Sequence, residues 1–368
     1  MPEPLASLRI QLPGQLAGLV ADAERAVKRL NDEGGRALAP LAHLLLRTES
    51  IASSKVEGMQ VGVRELARAE ARWEAGGKTG VMAAEILANI DAMHTAVDHA
   101  ADAEWFSEAE VIGIHKRLLG NSSQRNIAGL VRSGQNWIGG NDYTPCGADF
   151  VPPPPDMLDA LLTDLCVSIN DDTLPTLVQA AIVHAQFETV HPFDDGNGRT
   201  GRALVHVIFR RRGVAPTFLP PISLIFARER KQYIEGLTHF RGDRVLDWIE
   251  QFASATFRAA TLAQTYLEQI RRLQQQWRDR LRASSASPRS DSVAWALIEL
   301  LPAHPMISGP VAVAATNRAK SRVYEAIDQL VNAEVLLPLT DGTRNRWWEA
   351  EGLLDLVEGI EDGPLRPR

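Results

Sequence analysis

The sequence predicts a mainly α-helical protein with a short β-hairpin and a small additional domain towards its C-terminal end. Most of its 368 residues fall into segments in which apolar side chains recur every three to four positions, the spacing of an amphipathic helix. Residues 129–155 break this pattern with clustered Gly and Pro and with β-branched and aromatic residues, which favour strands and turns. The pattern changes again after residue 282, where a Ser- and Arg-rich stretch precedes new short periodic segments.

Composition excludes several classes of protein. Hydrophobic residues make up 45% of the chain and charged residues 23%, as in folded water-soluble domains. The formal net charge of −7 argues against a protein that coats nucleic acid through its overall field. Cys146 and Cys166 form neither a metal-ligand spacing nor a disulfide framework, which fits a reducing compartment. Without a signal-peptide pattern or an apolar run of membrane-spanning length, we expect a cytoplasmic protein with no membrane partner.

Residues 1–100 are predicted to form an N-terminal helical region. Turn sequences separate its first two periodic segments at Asp32-Glu33-Gly34-Gly35 and its last two at Gly76-Gly77. The four periodic segments are residues 15–31, 37–51, 62–75 and 81–100.

The second of these helices continues to Gly58, which is a plausible helix stop. Ser53 and Glu57 are four positions apart and therefore share one face of that helix. Taken alone, such a pair is also typical of a solvated helix surface.

Residues 101–282 contain the most informative stretch of the chain, His-Pro-Phe-Asp-Asp-Gly-Asn-Gly-Arg-Thr-Gly-Arg at 191–202. Helical spacing in residues 174–190 and 200–212 places this stretch in a loop that enters the N-terminus of a helix. Unpaired backbone N–H groups and the positive end of the helix dipole favour an anion there. His191, at the entrance of the loop, is then positioned to accept a proton from an attacking group.

The residues that follow fit a phosphate ligand. Gly196 and Gly198 let the backbone approach a ligand closely, and Arg199 and Arg202 present guanidinium forks suited to phosphate oxygens. Asp195 would be poorly placed beside phosphates unless a hard cation such as Mg²⁺ lay between them. A capped helix turn with surface arginines explains the Gly and Asn residues, but not a His, an Asp and two Arg together.

This stretch matches every fixed position of the signature H-x-F-x-[D/E]-G-N-G-R-x-x-R, and here the chain resembles the Fic family. The resemblance implies a Fic-type helical bundle that transfers AMP from ATP to a Ser, Thr or Tyr hydroxyl of a protein. The chain itself is one candidate target. It implies that His191 is the catalytic base and that Asp195 binds Mg²⁺, while Phe193 anchors the loop in the core. The nucleotide-binding residues that it implies are Gly196, Asn197, Gly198, Arg199 and Arg202.

Residues 53–58 also resemble the family's inhibitory motif, [S/T]-x-x-x-E-[G/N], with Ser53, Glu57 and Gly58 at its fixed positions. The implied role is that Glu57 pairs with Arg202 and occupies the γ-phosphate position. The charges agree with this role, because one carboxylate can neutralise one guanidinium and compete with phosphate for it. Since the motif lies in the same chain, we expect self-inhibition without a separate antitoxin; a homodimer is a family expectation.

The Gly- and Pro-rich interval is predicted to form two strands, near residues 135–138 and 148–151, joined through Gly139-Gly140-Asn141-Asp142. Taken from the residues alone, an irregular surface loop is the alternative. In the Fic family the corresponding hairpin is the flap, which holds the backbone of the target as an added strand. The resemblance implies that the target-docking residues are Trp137, Ile138 and Gly139.

A linker at residues 283–290 is predicted to precede a winged-helix-like domain at 291–350 and a tail at 351–368. Helices are expected near 291–301, 308–315 and 318–333, followed by a hairpin across Asp341-Gly342. Residues 283–350 hold six Lys/Arg and seven Asp/Glu, so DNA binding is weakly supported. Packing, dimerisation or substrate docking fits equally well. The basic residues that open the third helix, where a DNA reader places its contacts, are Arg318, Lys320 and Arg322.

Two functions besides AMP transfer remain open. The same loop could transfer another phosphate-containing group, or remove AMP from a modified protein with Glu57 orienting a water. The chain could instead be a nucleotide-sensing transcriptional regulator that acts through residues 291–350. His115 and His184 each lie alone on an apolar helix face and are expected to be packing residues. For Tyr233 a place in the wall of a nucleoside pocket and a place in the packing are both open.

Overall fold

The computed structural model describes residues 2–32, 39–74, 76–141, 143–284, 288–339 and 346–362. Within these ranges the protein is mainly helical, as predicted from the sequence, with one small sheet. None of the helices in these ranges combines the length and the hydropathy of a membrane-spanning segment.

Fifteen α-helices lie in the described ranges. Their bounds agree to within a few residues with the periodic segments predicted in residues 15–100 and with the two that flank the loop at 191–202. In chain order they are α1 (Gly14–Asp32), α2 (Ala39–Val56), α3 (Val63–Glu74), α4 (Val81–Asp98), α5 (Glu108–Leu119), α6 (Leu158–Asn170), α7 (Thr176–Val190), α8 (Asn197–Arg211), α9 (Ile222–Arg228), α10 (Arg230–Arg241), α11 (Val245–Ala283), α12 (Val293–Leu300), α13 (Gly309–Thr316), α14 (Lys320–Asn332) and α15 (Leu353–Asp362).

The chain divides into two compact units, each built from separate stretches of sequence. The first unit comprises residues 1–34, 45–59 and 85–261, and the second comprises residues 35–44, 60–84 and 262–368. The domain boundaries drawn from the sequence stay predictions.

The first unit is centred on α7, whose residues are buried along its whole length. A helix that is buried on all sides lies at the centre of a domain, and its polar side chains need partners inside the protein. Gln179 of α7 donates to the backbone oxygens of Ser168 (2.8 Å) and Ile169 (3.1 Å). Trp248 of α11 donates its indole N–H to the carbonyl oxygen of Ala181 (2.8 Å). These bonds fix the position of α7, and the His191 turn follows at the C-terminal end of this helix.

A buried polar cluster joins α2, α8 and the start of α9. The side chains of Glu49 and His206 are each 1% exposed, and His206 Nε2 lies 2.9 Å from Glu49 Oε1. Ser223 donates its backbone N–H to Glu49 Oε2 at 2.8 Å and its hydroxyl to Glu49 Oε1. No sequence pattern predicts this cluster, because its members lie on three separate segments of the chain.

Removal of Glu49 is expected to destabilise the first unit strongly. Glu49→Ala leaves the buried N–H and hydroxyl of Ser223 without their acceptor, at a cost of about 3–5 kcal/mol for the two groups together. Thermal unfolding monitored by circular dichroism should show an apparent Tm about 10 °C lower than that of the wild type. As a control, Asp247→Ala removes an ion pair with Arg244 whose side chains are 58% and 46% exposed, and about 1 kcal/mol or less is expected. Equal changes in Tm for the two variants would contradict the role given to Glu49.

The predicted hairpin is present, but its pairing is limited to one bridge instead of two strands. Ile138 and Phe150 pair antiparallel, with Ile138 N–H donating to Phe150 (2.9 Å) and Phe150 N–H donating to Ile138 (3.2 Å). Beyond this pair Gly139 and Gly140 both take positive φ (76° and 74°), and the chain after Phe150 enters a proline run without N–H donors. The antiparallel pairing therefore does not extend beyond the single pair Ile138 and Phe150. Asp142 of the predicted turn lies outside the described residues.

The second unit contains a three-stranded antiparallel sheet in the order β1-β3-β2. Its registers pair Ile307 with Trp348 and Leu336 with Ala350. The strands are β1 (Met306–Ser308), β2 (Leu336–Pro338) and β3 (Trp347–Ala350).

The three helices expected in the winged-helix-like domain correspond to α12, α13 and α14, and α15 lies in the predicted tail. Strand β1 was not predicted, because three residues are too few to show a period of two. Positions 285–287 of the linker and the turn at 341–342 lie outside the described residues. The winged-helix assignment stays a prediction.

Candidate active site

The His191 turn begins where α7 ends. His191 caps the helix with φ 48°, a left-handed conformation that is uncommon for a residue other than glycine, and its N–H donates to Phe187 (2.9 Å). Two positions later Phe193 is fully buried, as the family resemblance implied, and its ring stacks on that of His115 with centroids 3.7 Å apart. The turn is therefore anchored in the core directly behind His191.

Asn197 closes the loop between α7 and α8. Its side-chain oxygen accepts from the backbone N–H of Phe193 (2.9 Å), and its amide donates to the carbonyl oxygen of Phe193 (2.7 Å). The residue is 2% exposed. Its amide is therefore committed to the shape of the loop, whereas the family resemblance implied a nucleotide contact for this residue.

His115 of α5 supports the same loop from behind. Its Nδ1 accepts from the backbone N–H of Gly129 (3.0 Å), so the ring proton lies on Nε2, which is 2.9 Å from the carbonyl oxygen of Asp195. Burial lowers the pKa of His115 to about 4, although the Asp195 carbonyl and carboxylate oppose this effect. The neutral ring thus connects the site to the segment that leads into the flap. The sequence predicted a packing residue here and gave no signal for this connection.

The N-terminus of α8 forms an anion cradle with an arginine that lacks acceptors. Arg199 is 2% exposed, and no described residue accepts a hydrogen bond from its Nε or Nη1. Its Nη2 lies 3.7 Å from the carboxylate of Asp195, whose side chain is 43% exposed. A buried guanidinium with unused donors beside the free N–H groups of a helix N-terminus is suited to a ligand with several anionic oxygens.

Arg202, one turn further along α8, is bound by the end of α2. Its Nε donates to the hydroxyl of Ser53 (2.9 Å), and its Nη2 donates to the carbonyl oxygen of Ser53 (2.8 Å) and to Glu57 Oε1 (2.7 Å). Partial burial favours a raised pKa for Glu57, but the charges of Arg202 and Arg199 outweigh it and keep that pKa below its usual value. Glu57 is therefore a carboxylate held by a buried guanidinium.

Gly198 is the residue over which Glu57 lies. A Cβ at position 198 would overlap Glu57 Oε1, so the close approach of this carboxylate to the first turn of α8 requires glycine. The chain reverses immediately after Glu57 at Gly58, whose φ is 85°. The three residues of the predicted inhibitory motif and the two predicted phosphate-binding residues Gly198 and Arg202 thus lie together.

His191 is held in its neutral form. Burial lowers its pKa to about 4, and the positive charge of Arg241 acts in the same direction. At neutral pH the ring therefore carries a free lone pair, the form that accepts a proton.

Glu188, one turn before His191, is a site residue that sequence reasoning missed. It is 6% exposed, and among the described residues no donor reaches its Oε1. Burial raises its pKa to about 7, against the charge of Arg202. A single Glu inside a helix carries no motif, so no sequence signal marked this carboxyl.

The flap residues predicted for target docking lie beside one another. Ile138 forms the bridge with Phe150, Gly139 follows with positive φ, and the indole of Trp137 donates to Asn141 (2.7 Å). Tyr233 is packed behind this site: it is 3% exposed, its hydroxyl lies 2.9 Å from His184 Nε2, and its side chain hydrogen-bonds with that of Arg202. A place for it in the wall of a nucleoside pocket stays a prediction.

Two family models match the chain. The model described as Fic/DOC family matches residues 105–209, and the model described as Fic/DOC family N-terminal matches residues 17–98. Together they cover about half of the chain and include the anion cradle and the motif around Glu57. The chain belongs to the Fic/DOC family.

Curated Fic relatives support this assignment. Protein adenylyltransferase fic-1 of Caenorhabditis elegans is 35% identical over 114 residues, which are 30% of this chain and 20% of the relative. Protein adenylyltransferase Fic of Nematostella vectensis is 32% identical over 161 residues, which are 42% of this chain and 34% of the relative. The matches therefore span between a fifth and a third of the length of these relatives.

Solved Fic structures share the fold. A Fic family protein from Desulfovibrio desulfuricans G20 superposes with a TM-score of 0.58 at 18% identity, over 93% of this chain and 98% of the other. A fragment of Fic-1 from C. elegans gives a TM-score of 0.54 at 22% identity, over 69% of this chain and 74% of the other.

The buried titratable groups of this Fic protein predict a loss of stability in mild acid. His115, His184 and His191 have pKa values of about 4, 3 and 4 in the folded chain, each lowered first by burial. Between pH 6.5 and 4 the unfolded chain binds protons at these rings that the folded chain does not, so stability falls as the pH falls. Each ring contributes about 2 kcal/mol of destabilisation at pH 5 relative to pH 7, and Glu188 opposes them by about 2 kcal/mol.

Thermal unfolding at pH 7 and at pH 5 checks this prediction. We expect a net loss of about 3–4 kcal/mol at pH 5, and a larger loss in Glu188→Gln, which lacks the opposing carboxyl. An unchanged or higher Tm at pH 5 would contradict the neutral state of the three rings.

Proposed function

We propose that this Fic protein transfers AMP from ATP to a Ser, Thr or Tyr hydroxyl of a protein substrate. A second copy of the chain is one such substrate. The observation that carries this proposal is the guanidinium of Arg199 at the N-terminus of α8, whose Nε and Nη1 have no acceptor among the described residues, eight positions after the neutral His191. The guanidinium supports a polyphosphate ligand, and the neutral imidazole supports a base beside it. The names of the curated relatives, protein adenylyltransferases, agree with this chemistry.

The phosphate contacts follow from the groups that the fold leaves available. The backbone N–H groups of Gly198 and Arg199 belong to the first turn of α8 and have no carbonyl partner within the helix. We assign the α-phosphate to these groups rather than to the amide of Asn197, which already binds Phe193. The guanidinium groups of Arg199 and Arg202 then take the β- and γ-phosphates, and their fixed charge offsets the charge that develops during transfer.

Asp195 fits the proposed Mg²⁺ ion. Its Oδ1 accepts from the N–H of Gly196 (2.6 Å), while its side chain remains 43% exposed at the edge of the cradle. No group of three or more His, Cys, Asp or Glu side chains that could hold a metal occurs in the described part of the chain, so an ion there would rely on phosphate oxygens and water for its other ligands. This agrees with the habit of Mg²⁺, which when bound would neutralise phosphate charge.

In the proposed reaction the imidazole of His191 accepts the proton of the incoming hydroxyl. The hydroxyl oxygen forms a bond to the α-phosphorus of ATP, the bond from that phosphorus to the bridging oxygen breaks, and pyrophosphate leaves with the electron pair. The products are an AMP ester of the side chain, pyrophosphate and a proton that His191 passes to solvent. Positioning and fixed charge supply most of the rate increase in phosphoryl chemistry.

The chain is proposed to inhibit itself through Glu57. Arg202 donates from Nε and Nη2 to Ser53 and from Nη2 to Glu57, and the Glu57 carboxylate lies over Gly198, whose N–H group is assigned to phosphate. A bound γ-phosphate would need the same guanidinium, and two anions cannot share it without strong repulsion. Nucleotide could then bind productively only after Glu57 has left.

Intact-mass spectrometry after incubation with ATP and Mg²⁺ tests the proposed function. One added AMP on the chain or on a protein from a mixture of candidate targets supports transfer, and the comparison includes CTP, GTP and UTP. Loss of AMP from a pre-AMPylated protein would favour the reverse reaction, in which Glu57 orients a water. No change with any nucleotide or modified protein would overturn the assignment as a nucleotidyltransferase.

A further inference from the structure

Arg132 lies between the flap and the His191 turn and is 3% exposed. The charged side chain of a residue buried to this extent is expected to be paired with a carboxylate. Its guanidinium donates instead to backbone carbonyl groups, and the carboxylate of Asp194 acts on it through its charge. These carbonyl bonds separate it from an ordinary structural ion pair.

The guanidinium binds both sides of the site. On the side of α7, Nε donates to His191 (2.9 Å) and Nη2 donates to Val190 (3.4 Å). On the side of the flap, Nη1 donates to Gly134 (3.0 Å) and Nη2 donates to Pro153 (2.6 Å).

The backbone of Arg132 reinforces this connection, because its N–H donates to Pro192 (2.9 Å). Asn136, four positions later, donates its amide to Phe193 (3.1 Å). The chain leading into the flap therefore contacts the carbonyl groups of four consecutive residues, 190–193. These carbonyls end α7 and form the turn that holds the catalytic candidate.

Two physical effects follow from this geometry. The last carbonyl groups of a helix lack partners and carry negative partial charge, so a guanidinium there fixes the end of α7. The left-handed φ of His191 costs about 1 kcal/mol and persists only if its surroundings hold it, and Arg132 binds its carbonyl oxygen directly. The same side chain binds the segments that enter and leave the flap, at Gly134 and Pro153.

We propose that Arg132 is a positioning residue for group transfer, which sets both the orientation of the His191 imidazole and the position of the flap relative to it. This inference rests on the proposed function. Arg132 does not contact the nucleotide site assigned above, so its loss is expected to lower turnover far more than ATP affinity. A displacement of about 1 Å at the reacting groups typically costs about 100-fold in rate.

Arg132 also contributes a charge near His191. The pKa of His191 is lowered first by burial, then by the charge of Arg241 of α10 and, to a smaller extent, by the charge of Arg132. The carbonyl of Glu188 and the carboxylate of Glu57 raise it. A positive charge disfavours the imidazolium form, so removal of the Arg132 charge should move the pKa of His191 upwards. Positioning and charge can therefore be separated by the choice of substitution.

The test compares three variants in a Glu57→Gly chain. Arg132→Lys keeps the charge but loses the planar fork, whereas Arg132→Met loses both. Arg212→Met is the matched control, because Arg212 also binds several backbone groups, including Asp172 (3.1 Å) and Leu174 (3.1 Å), but does so beyond the N-terminal end of α7. AMP transfer is followed by intact mass across pH, and the ring of His191 is titrated by NMR in the absence of ATP.

We expect kcat to fall about 100-fold in both Arg132 variants with KM for ATP changed less than about threefold. The pKa of His191 and the acid limb of the profile should rise in Arg132→Met alone, and Arg212→Met should change neither. Wild-type turnover in Arg132→Lys would overturn the positioning role, and an unchanged His191 titration in Arg132→Met would overturn the charge effect. A Glu57→Gly chain that transfers no AMP would instead contradict the proposed function, while the NMR titration would still report on Arg132.

Discussion

Glu57→Gly is expected to raise the rate of AMP transfer by about 10- to 100-fold. The carboxylate of Glu57 accepts a charge-assisted hydrogen bond from the buried Arg202 at 2.7 Å. Such a bond is worth about 1.5–3 kcal/mol, and each 1.4 kcal/mol is a factor of ten in an equilibrium. Removal of the competitor therefore returns Arg202 to the nucleotide. The measurement is intact-mass spectrometry at limiting ATP, with the added AMP followed over time.

Two further variants show whether the ion pair itself is responsible. Glu57→Gln keeps the size of the side chain and removes its charge, so an intermediate rate is expected while the bonds from Arg202 to Ser53 persist. Glu250→Gly makes the same substitution at an exposed position of α11 and controls for effects of a Glu→Gly change that do not involve Arg202. Rates in Glu57→Gly that equal those of the wild type, at ATP concentrations well below saturation, would rule out Glu57 as an inhibitor.

The cluster around Glu49 shows that the contact between α2 and α8 has two layers. Glu49, Ser53 and Glu57 follow one another at intervals of four along α2, and Arg202 and His206 are four apart on α8. Residues at this interval share a helix face, so each polar group of α2 meets a partner on α8. The inner layer is fully buried, whereas the side chain of Glu57 is 36% exposed. Glu57 is therefore the member of the series whose carboxylate already reaches solvent and can leave its partner without opening the buried layer.

The sequence predicted the parts of the site that are local or carry a motif. The four N-terminal helices, the loop before α8 and the proximity of Glu57 to Arg202 all agree with the structure, the last because a known family pattern linked segments 145 residues apart. The roles of Arg132 and Glu188 could not be predicted. Each depends on burial and on distant backbone carbonyls or charges, and neither residue type is unusual at its place in the sequence.

The reduced hairpin has a different cause. β-branched and aromatic residues predicted strands in residues 135–138 and 148–151, but pairing depends on which N–H groups are free. Gln135 and Asn136 direct their amide side chains to carbonyl groups at Pro152 and Phe193. The positive φ of Gly139 and Gly140 and the proline run at 152–155, which has no N–H donors, end the pairing at Ile138 and Phe150. Local propensity therefore overestimated the strands.

His191→Ala is expected to lower AMP transfer by about 100- to 10,000-fold, the usual contribution of a general base, with nucleotide affinity largely retained. The imidazole is neutral because burial lowers its pKa to about 4, and the phosphate contacts are assigned to α8 rather than to this residue. Transfer is measured by intact mass in a Glu57→Gly chain, and nucleotide binding is measured by isothermal titration calorimetry. His99→Ala, at an exposed histidine of the same unit, provides the matched control.

The result for His191→Ala also decides between two bases. Glu188 lies one turn earlier on α7, and its pKa of about 7, raised by burial, would allow it to exchange a proton near neutral pH. It is 6% exposed and lies where Gly201 approaches, with its Oε1 3.3 Å from the position that a Cβ on Gly201 would take. If transfer persists in His191→Ala and disappears in a double variant with Glu188→Gln, the base is the carboxyl. If His191→Ala alone abolishes transfer while Glu188→Gln retains it, the imidazole is the base, and the buried carboxyl serves to balance the charge of Arg202.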